Sequence, residues 1–436
     1  MKKNFKLYTA ILSIGVLTGC APDMDGDFQA EKGTADFSTY IAVGNSLTAG
    51  YADGGLYLEG QQVAFPNLIA EQLASVGGGE FTSPFFSSEQ ENGSGYLQLI
   101  ALDQGNPVTE PVTDKLALRG QNDQGGPLYT KHLEPIQNLG VPGMRLDLAM
   151  VPGVGSTLGN PFFERLLPDE VASATRYIDF AAGHDHTFFS FWLGNNDVLG
   201  YATNGAVSRP DDPTTRLISA PEFEGAYRTF IEALTVKSQK GVVATIPDVT
   251  AVPFFNTVTT ALLNAAVEEA SGGQANTVYI ATKTGAREAS TDDLFILTFP
   301  SDLLAQPNQQ GIPYGLHPAN PIEDHYVLDS DEVKEVAARV KQLNAKIMEI
   351  AEENDLAVAD VYAFLNKVKT GYVYNGIAIS SAYITGNAFS LDGIHLTPIG
   401  NAIVANLFID AINKQYKADV PKIDITSYRG IKYPNN

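Results

Sequence analysis

Residues 40–50 read YIAVGNSLTAG, and this stretch decides how the rest of the chain is interpreted. Its first four residues are apolar and predict a short strand, and the Gly-Asn-Ser that follows predicts a tight turn leading towards a helix. Such a turn projects the Ser46 hydroxyl into the crevice at the carboxyl edge of a parallel sheet, where α/β folds bind ligands. Ser46 is therefore the first candidate for a functional residue.

Short apolar runs alternate with helical patterns along the chain, which is typical of an α/β fold. The runs are continuously apolar, so we expect strands buried on both faces of a parallel sheet. Asp329 with Glu332 forms a capping box, and Thr397 with Pro398 supplies an N-cap and a first helical residue. The predicted strands are 40–43, 135–141, 187–193, 241–246 and 356–361. The predicted helices are 66–74, 169–182, 222–238, 331–354 and 398–414.

Two long stretches, 51–133 and 250–329, are rich in Gly, Pro, Asn and Ser and exceed the length of ordinary connections. We expect both to be insertions that decorate one sheet, rather than separate domains. The predicted domain then spans 37–416, and 417–436 form a C-terminal tail.

His395 is the histidine whose surroundings best fit a base for Ser46. A serine hydroxyl becomes a good nucleophile only when a base accepts its proton. The chain has six histidines, and only His395 follows a carboxylate, Asp392, by three residues in a Gly-containing loop that opens a helix. Such a loop can turn the two side chains towards each other, with the second ring nitrogen facing Ser46.

An acyl-transfer site also needs hydrogen-bond donors for the oxyanion that develops during the reaction. Asn196 follows the third predicted strand and offers its side-chain amide. Gly143 follows the second predicted strand and offers a backbone N–H that no Cβ shields. The backbone N–H of Ser46 would be the third donor, and Asp197 is expected to fix the loop that presents Asn196.

These four blocks, in this order, resemble those of the SGNH hydrolases, also called the GDSL lipase/esterase family. The four residues that name the family match Ser46, Gly143, Asn196 and His395, and Asp392 matches the acid of its Asp-x-x-His block. The resemblance implies a three-layer α/β/α, flavodoxin-like fold. It also implies a Ser-His-Asp triad that hydrolyses carboxylic esters through an acyl-enzyme, with no cofactor and no metal.

The chain departs from the family name at Asn45, where the name has Asp. This position is not the acid of the triad. We therefore expect the difference to alter the hydrogen bonds of the turn rather than the chemistry.

Two alternatives to this function stay open. One is a non-catalytic surface lipoprotein that binds carbohydrate or lipid on the same fold; the intact triad argues against it. The other is a carbohydrate O-acetylesterase, because the ester could be a small molecule, a lipid or a glycan. A metal at His184 and His186 is disfavoured, since both lie at the entry of the third predicted strand, on the edge opposite Ser46.

The composition limits the partners of the protein. Lys and Arg number 28 against 50 Asp and Glu, for a formal charge of −22, which repels phosphate backbones and argues against nucleic acid as a partner. The single cysteine excludes an intrachain disulfide and a thiolate zinc cage.

The N-terminal sequence predicts a secretory signal and a lipid anchor. Three lysines among the first six residues precede a short apolar run, 7–17, which indicates a secretory signal peptide over 1–19. Leu-Thr-Gly-Cys at 17–20 resembles the lipobox of bacterial lipoproteins. The resemblance implies that Cys20 is acylated and that 20–36 form a flexible tether to a membrane, in the bacterial cell envelope and at the outer membrane.

Overall fold

The computed structural model describes residues 30–103 and 106–434, so the predicted signal peptide, Cys20 and the first part of the tether lie outside the described residues. The strands are β1 Tyr40–Gly44, β2 Tyr96–Asp103, β3 Asn106–Val112, β4 Leu118–Gln121, β5 Pro127–Tyr129, β6 Phe188–Trp192, β7 Gly241–Ala244, β8 Tyr279–Thr282, β9 Gly285–Glu288, β10 Leu294–Phe295, β11 Val327–Leu328, β12 Ala357–Ala359, β13 Tyr372–Tyr374 and β14 Ile377–Ile379. The α-helices are α1 Ser46–Ala49, α2 Leu58–Gln62, α3 Phe65–Leu73, α4 Pro161–Glu164, α5 Asp169–Ala172, α6 Tyr177–Gly183, α7 Asn196–Thr203, α8 Ala220–Thr235, α9 Thr260–Ala270, α10 Ser330–Glu353, α11 Val361–Thr370 and α12 Pro398–Tyr416. Within the described residues, no helix combines the length and the apolar character needed to cross a membrane.

The central sheet has four strands in the order β1-β6-β7-β12, and every neighbouring pair is parallel. All residues of β1, β6 and β7 are buried. Burial on both faces explains why these strands are continuously apolar in sequence. The prediction of an α/β fold with a parallel sheet is confirmed.

Helices cover both faces of the sheet. Consecutive residues of a strand point to opposite faces, and the last two residues of β6 show which helices lie on each. Trp192 contacts Phe65 of α3 and Phe408 of α12, with ring centroids 5.6 and 5.9 Å apart. Phe191 contacts Phe230 of α8 at 4.7 Å, and α8 packs against both α6 and α10. The three-layer α/β/α arrangement is therefore confirmed.

The predicted strand 135–141 is not a regular strand. The segment runs parallel to β1, where the Ala42 amide donates to the Gln137 carbonyl and the Leu139 amide donates to the Ala42 carbonyl. Only a single isolated bridge, between Ala42 and Asn138, forms. The Gln137 and Asn138 amides donate to the Thr82 carbonyl instead, at 2.9 and 3.0 Å, so they add no bond to a ladder with β1.

The predicted helix 169–182 is also interrupted, because α5 ends at Ala172 and α6 begins at Tyr177. Between them, the Thr175 hydroxyl donates to the Val171 carbonyl at 2.9 Å. The same kind of bond, from the Thr229 hydroxyl to the Gly225 carbonyl, lies inside the unbroken α8, so it does not cause the break. The helical path ends at Arg176, whose backbone is extended with φ −80° and ψ 152°.

Both predicted capping signals are confirmed. The Asp329 side chain accepts from the Glu332 amide while the Glu332 side chain accepts from the Asp329 amide, at the start of α10. Thr397 caps α12 by accepting from the Gly400 amide, and Pro398 is its first residue.

The two long segments carry small antiparallel hairpins outside the central sheet. The first contains β2–β3 and β4–β5, and the second contains β8–β9 together with β10, which pairs with β11. The first segment also contains α3, which packs on α12. Part of that segment therefore belongs to the layered core.

Thr34 and Ala35, which we assigned to the tether, belong to the fold. The Thr34 amide donates to the Tyr416 carbonyl at 2.9 Å, and Ala35 is buried in the main core. An apolar residue and a satisfied amide are enough to dock this short stretch. In the predicted C-terminal tail, Val420 and Ile425 are buried in the same core.

Candidate active site

Ser46 is the first residue of α1 and follows the exit of β1 directly. The residue before it, Asn45, is buried and caps the helix, because its Oδ1 accepts from the Leu47 amide at 3.2 Å. The Asn45 Nδ2 donates to the Asn195 Oδ1 at 3.0 Å. The loop that carries Ser46 is thereby joined to the loop that follows β6.

The structure brings Ser46, His395 and Asp392 together, although Ser46 and His395 lie 349 positions apart in the sequence. The His395 Nε2 lies 2.9 Å from the Ser46 Oγ, and the His395 Nδ1 lies 2.9 Å from the Asp392 Oδ2. The Tyr51 ring flanks the imidazole, with centroids 4.7 Å apart. This is the geometry in which an imidazole can accept a serine proton while a carboxylate fixes its tautomer.

The Asp392 carboxylate is held by four further donors. Its Oδ1 accepts from the amides of Ile394 and His395, at 2.9 and 2.8 Å, and from the Ser390 hydroxyl at 3.1 Å. Its Oδ2 accepts from the Gly54 amide at 2.9 Å. Burial raises the pKa of Asp392, but the charge of His395 and these hydrogen bonds outweigh it and hold the pKa well below its usual range. The carboxylate is therefore ionised at neutral pH.

The three candidate oxyanion donors lie in the loops around Ser46. Asn196 begins α7, and its Nδ2 donates to the Met144 carbonyl at 3.0 Å, which leaves the second amide hydrogen for another acceptor. Within the described residues, the backbone N–H groups of Ser46 and Gly143 donate to no acceptor. Gly143 has φ +77°, and a Cβ there would meet only the Asn160 side chain at 3.4 Å. The left-handed backbone at this position favours glycine, and the open space beside it leaves the N–H accessible.

A buried acid joins the loop of Asn196 to the loop of Gly143. The Asp197 carboxylate accepts from the amides of Leu146 and Asp147, at 2.7 and 3.1 Å. Arg145 donates to the Asn196 carbonyl at 3.0 Å. Burial raises the pKa of Asp197 to about 7, against the opposing charge of Arg145. Asp197 thus contacts backbone, as its predicted positioning role requires, whereas the sequence analysis did not find Arg145.

Sequence reasoning also missed Asp53, which lies behind the Asp392 loop. Asp53 is buried with φ +53°, and its carboxylate accepts from the Leu391 amide at 2.9 Å and from the Tyr57 hydroxyl at 2.7 Å. The next residue is Gly54, whose amide binds Asp392. The Asp-Gly-Gly sequence shortly after Ser46 was the available signal, because it is typical of a turn with positive φ.

A small apolar cavity of about 40 Å³ adjoins Ser46, Asn196 and His395. Its remaining wall is almost entirely aliphatic and aromatic. That wall consists of Leu47, Trp192, Asn195, Leu199, Pro247, Val249, Val252, Val361, Leu365, Phe389, Ile394, Leu396 and Val404. The arrangement can hold a small apolar group beside the serine hydroxyl.

The geometry does not favour the alternative metal site at His184 and His186. The two ring nitrogens of His186 face the carbonyl oxygens of His184 and Leu234, at 2.9 and 3.0 Å. The His184 Nδ1 faces the Phe180 carbonyl at 2.8 Å. In the part of the chain that the structure describes, no group of three or more His, Cys, Asp or Glu side chains is placed to hold a metal ion.

Several solved structures are similar to the chain at low identity. They include an alpha/beta hydrolase enzyme from the metagenome of Lake Arreo, Spain, at 12% identity and a TM-score of 0.37, with 87% of this chain and 96% of that chain covered. An acetylxylan esterase from Geobacillus stearothermophilus is 12% identical with a TM-score of 0.34, over 87% of this chain and 95% of that chain. A lipase/acylhydrolase from Enterococcus faecalis is 12% identical with a TM-score of 0.32, over 88% of this chain and 98% of that chain.

No curated protein matches the chain. The family described as GDSL-like lipase/acylhydrolase matches residues 40–408, a span that includes all four blocks. The resemblance predicted from those blocks is therefore confirmed. The chain belongs to the GDSL-like lipase/acylhydrolase family of ester hydrolases.

Proposed function

We propose that the protein hydrolyses carboxylic esters by a two-step serine mechanism. The observation that carries the proposal is the unbroken hydrogen-bonded series of Ser46, His395 and Asp392, with 2.9 Å at each of its two links. An ionised, fully hydrogen-bonded Asp392 favours the imidazolium that forms when His395 accepts a proton.

In the first step, the Ser46 Oγ attacks the ester carbonyl while His395 takes the hydroxyl proton. The oxyanion accepts hydrogen bonds from the Ser46 and Gly143 amides and from the Asn196 side chain. The bond to the alcohol oxygen then breaks, and the alcohol leaves with the proton from His395. The acyl group remains on Ser46.

In the second step, a water molecule attacks the acyl-enzyme. His395 accepts a proton from that water, the same donors hold the oxyanion, and the bond to Ser46 breaks. The carboxylic acid leaves, and the proton on His395 returns to the Ser46 oxygen. No cofactor takes part in either step.

The acyl group that the site accepts is short. A cavity needs about 10–15 Å³ of volume to hold one buried water molecule. The cavity of about 40 Å³ beside Ser46 therefore takes a chain of only a few heavy atoms. Its apolar wall suits an alkyl group rather than a charged one. We therefore expect acetyl to butyryl esters to be preferred.

The test combines an ester series with active-site labelling. The p-nitrophenyl esters from acetate to palmitate should be cleaved with the highest kcat/KM at short chain lengths.

A fluorophosphonate probe should label the wild type at Ser46 and fail to label Ser46→Ala. The control Ser75→Ala, which removes an exposed serine hydroxyl, should be labelled normally. Turnover should fall by several orders of magnitude for Ser46→Ala and by about 10² to 10³ for Asn196→Ala, because only one oxyanion donor is lost there.

The non-catalytic alternative gives a different result. A folded wild-type protein that neither reacts with the probe nor cleaves any activated ester would be a binding protein on this fold. Circular dichroism of each variant provides the check on folding.

A further inference from the structure

A second cleft, separate from the Ser46 cavity, lies between β2, the loop after α1 and the C-terminal segment. We call it the hairpin groove, and its principal lining residues are Tyr57, Glu59, Tyr96, Gln98, Arg429 and Lys432. It has a volume of about 280 Å³. A neighbouring cleft of about 290 Å³ shares Tyr57, Glu59, Tyr96 and Lys432 with it. The two clefts therefore lie next to each other along these shared residues.

Tyrosine rings line the groove, and contacts with neighbouring side chains hold two of them in place. Tyr96 is half-buried and stacks on Tyr57, with ring centroids 4.1 Å apart and planes inclined by 21°. Tyr57 is buried and its hydroxyl is fixed on Asp53, so it backs one face of the Tyr96 ring. Tyr433 also lines the groove and is 47% exposed. Flat apolar rings with a polar tip are well suited to ligands that are partly apolar and partly hydroxylated.

The charges that line the groove cancel. Arg429 donates to the Glu59 carboxylate from Nε and Nη2, at 2.8 and 2.6 Å. Asp53 and Lys432 supply one further charge of each sign. The lining also includes the aliphatic side chains of Leu97, Leu99, Ile100 and Leu391. The groove is therefore neutral and partly apolar, in contrast to the formal charge of −22 for the whole chain. Such a lining has donors and acceptors but no net attraction for an ion.

We propose that the hairpin groove binds a neutral oligosaccharide. Sugar hydroxyls both donate and accept, so they match the carboxylates, guanidinium, ammonium and amide of this lining, while the C–H faces of sugar rings match its aromatic and aliphatic side chains. An anionic polymer is disfavoured by the charge of the chain, and a lipid tail is disfavoured by four charged side chains in the wall. This binding site goes beyond the proposed ester hydrolysis and does not depend on it.

The groove adjoins the proposed triad through one shared loop. Leu391 forms part of its wall and directly precedes Asp392. Asp53 also lines the groove and accepts from the Leu391 amide at 2.9 Å. An oligosaccharide held there would contact the residue next to the proposed triad acid.

The experiment measures binding by calorimetry on the full chain with unesterified sugars, so that hydrolysis plays no part in the readout. The probes are xylohexaose, cellohexaose, mannohexaose and chitohexaose, with polygalacturonate and phosphatidylcholine vesicles as comparisons. At least one neutral hexaose should bind at a single site. Tyr96→Ala should weaken that binding by about tenfold or more, because it removes the stacked ring.

The matched control is Tyr279→Ala, which removes a partly exposed tyrosine from a different hairpin and should leave binding unchanged. Tyr433→Ala alters an exposed residue and provides a second variant should Tyr96→Ala fail to fold; it should also weaken binding. The proposal is overturned if no neutral hexaose binds, if both groove variants bind as the wild type does, or if only the polyanion or the vesicles bind. Hydrolysis of p-nitrophenyl acetate, measured separately, reports on the proposed function alone.

Discussion

At the scale of single residues, Asn45 couples the proposed nucleophile to the neighbouring loop. We expect Asn45→Asp to keep kcat/KM within about tenfold of the wild type. The carboxylate can still accept from the Leu47 amide, and a rotated Asn195 amide can donate to it. Asn45→Leu loses both bonds and leaves the buried Asn195 oxygen without a donor. Its melting temperature and activity should therefore fall below those of Asn45→Asp. Calorimetry and p-nitrophenyl acetate turnover of both variants check this, and an Asp variant as impaired as the Leu variant would contradict it.

Asp197 makes the stability of the protein depend on pH. Burial raises its pKa to about 7, from an ordinary value of about 4. The folded state therefore holds this proton more tightly than the unfolded state, and the stability from this group falls as pH rises from about 4 to about 7. Asp197→Asn stays neutral but offers one oxygen to the two amides of Leu146 and Asp147. We expect the variant to be less stable than the wild type at pH 5 and to recover part of that deficit at pH 8.

Urea unfolding at the two pH values measures this difference. Asp211→Asn changes an exposed carboxylate and should leave stability close to that of the wild type at both. A deficit of Asp197→Asn that grows with pH would show that the carboxylate is favoured in its ionised form, in contrast to our expectation.

At the scale of elements, α11 sets one wall of the acyl cavity through Leu365. Leu365→Ala should lower the free energy of unfolding by about 2 to 5 kcal/mol and enlarge the cavity. The ratio of kcat/KM for the hexanoate ester to kcat/KM for the acetate ester should therefore rise. The matched control is Leu343→Ala in α10, which removes the same atoms from a fully buried site that does not line the cavity. It should destabilise the protein without changing the ratio of the two rates. An equal ratio in both variants would mean that this cavity does not receive the acyl chain.

The sequence predicts elements best where their signals are local. The start of α10 is predictable because a capping box involves residues three apart, here Asp329 and Glu332. The irregular segment 135–141 and the break in 169–182 are not predicted. Apolar content and periodicity register neither the contact of the Gln137 and Asn138 amides with Thr82 nor the extended backbone at Arg176. The hydrophobic pattern thus predicts which segments pack on the sheet, but it does not predict whether their backbones are regular.

The candidate site follows the same rule. Ser46 and the Asp392–His395 pair are predictable because each comes in a short recognisable block at the end of a predicted strand or the start of a helix. The contact of Gly54 with Asp392 joins residues 338 positions apart. Arg145 likewise reaches the carbonyls of Asn196 and Thr214 across the fold. No spacing in the sequence encodes such contacts, since they arise only when the loops pack together.

At the scale of the whole molecule, the candidate active site and the docked N-terminal stretch lie at opposite ends of α12. The helix begins at Pro398, three residues after His395, and ends at Tyr416, whose carbonyl accepts from the Thr34 amide at 2.9 Å. Its 19 residues span about 28 Å at 1.5 Å per residue. The described N-terminal stretch therefore joins the fold at the end of α12 away from Ser46.

The predicted lipid anchor can be tested on the whole protein. We propose that Cys20 is acylated and holds the protein on a membrane of the bacterial cell envelope. Cys20→Ser should then move from the membrane fraction to the soluble fraction, while kcat/KM on a soluble ester stays unchanged because Cys20 has no role in the proposed mechanism. A radiolabelled fatty acid should mark the wild type and not the variant, since Cys20 is the single cysteine of the chain. A wild type that takes up no fatty acid, or a variant that stays with the membranes, would refute the anchor. A variant that becomes soluble but loses activity would show instead that the membrane contributes to the site.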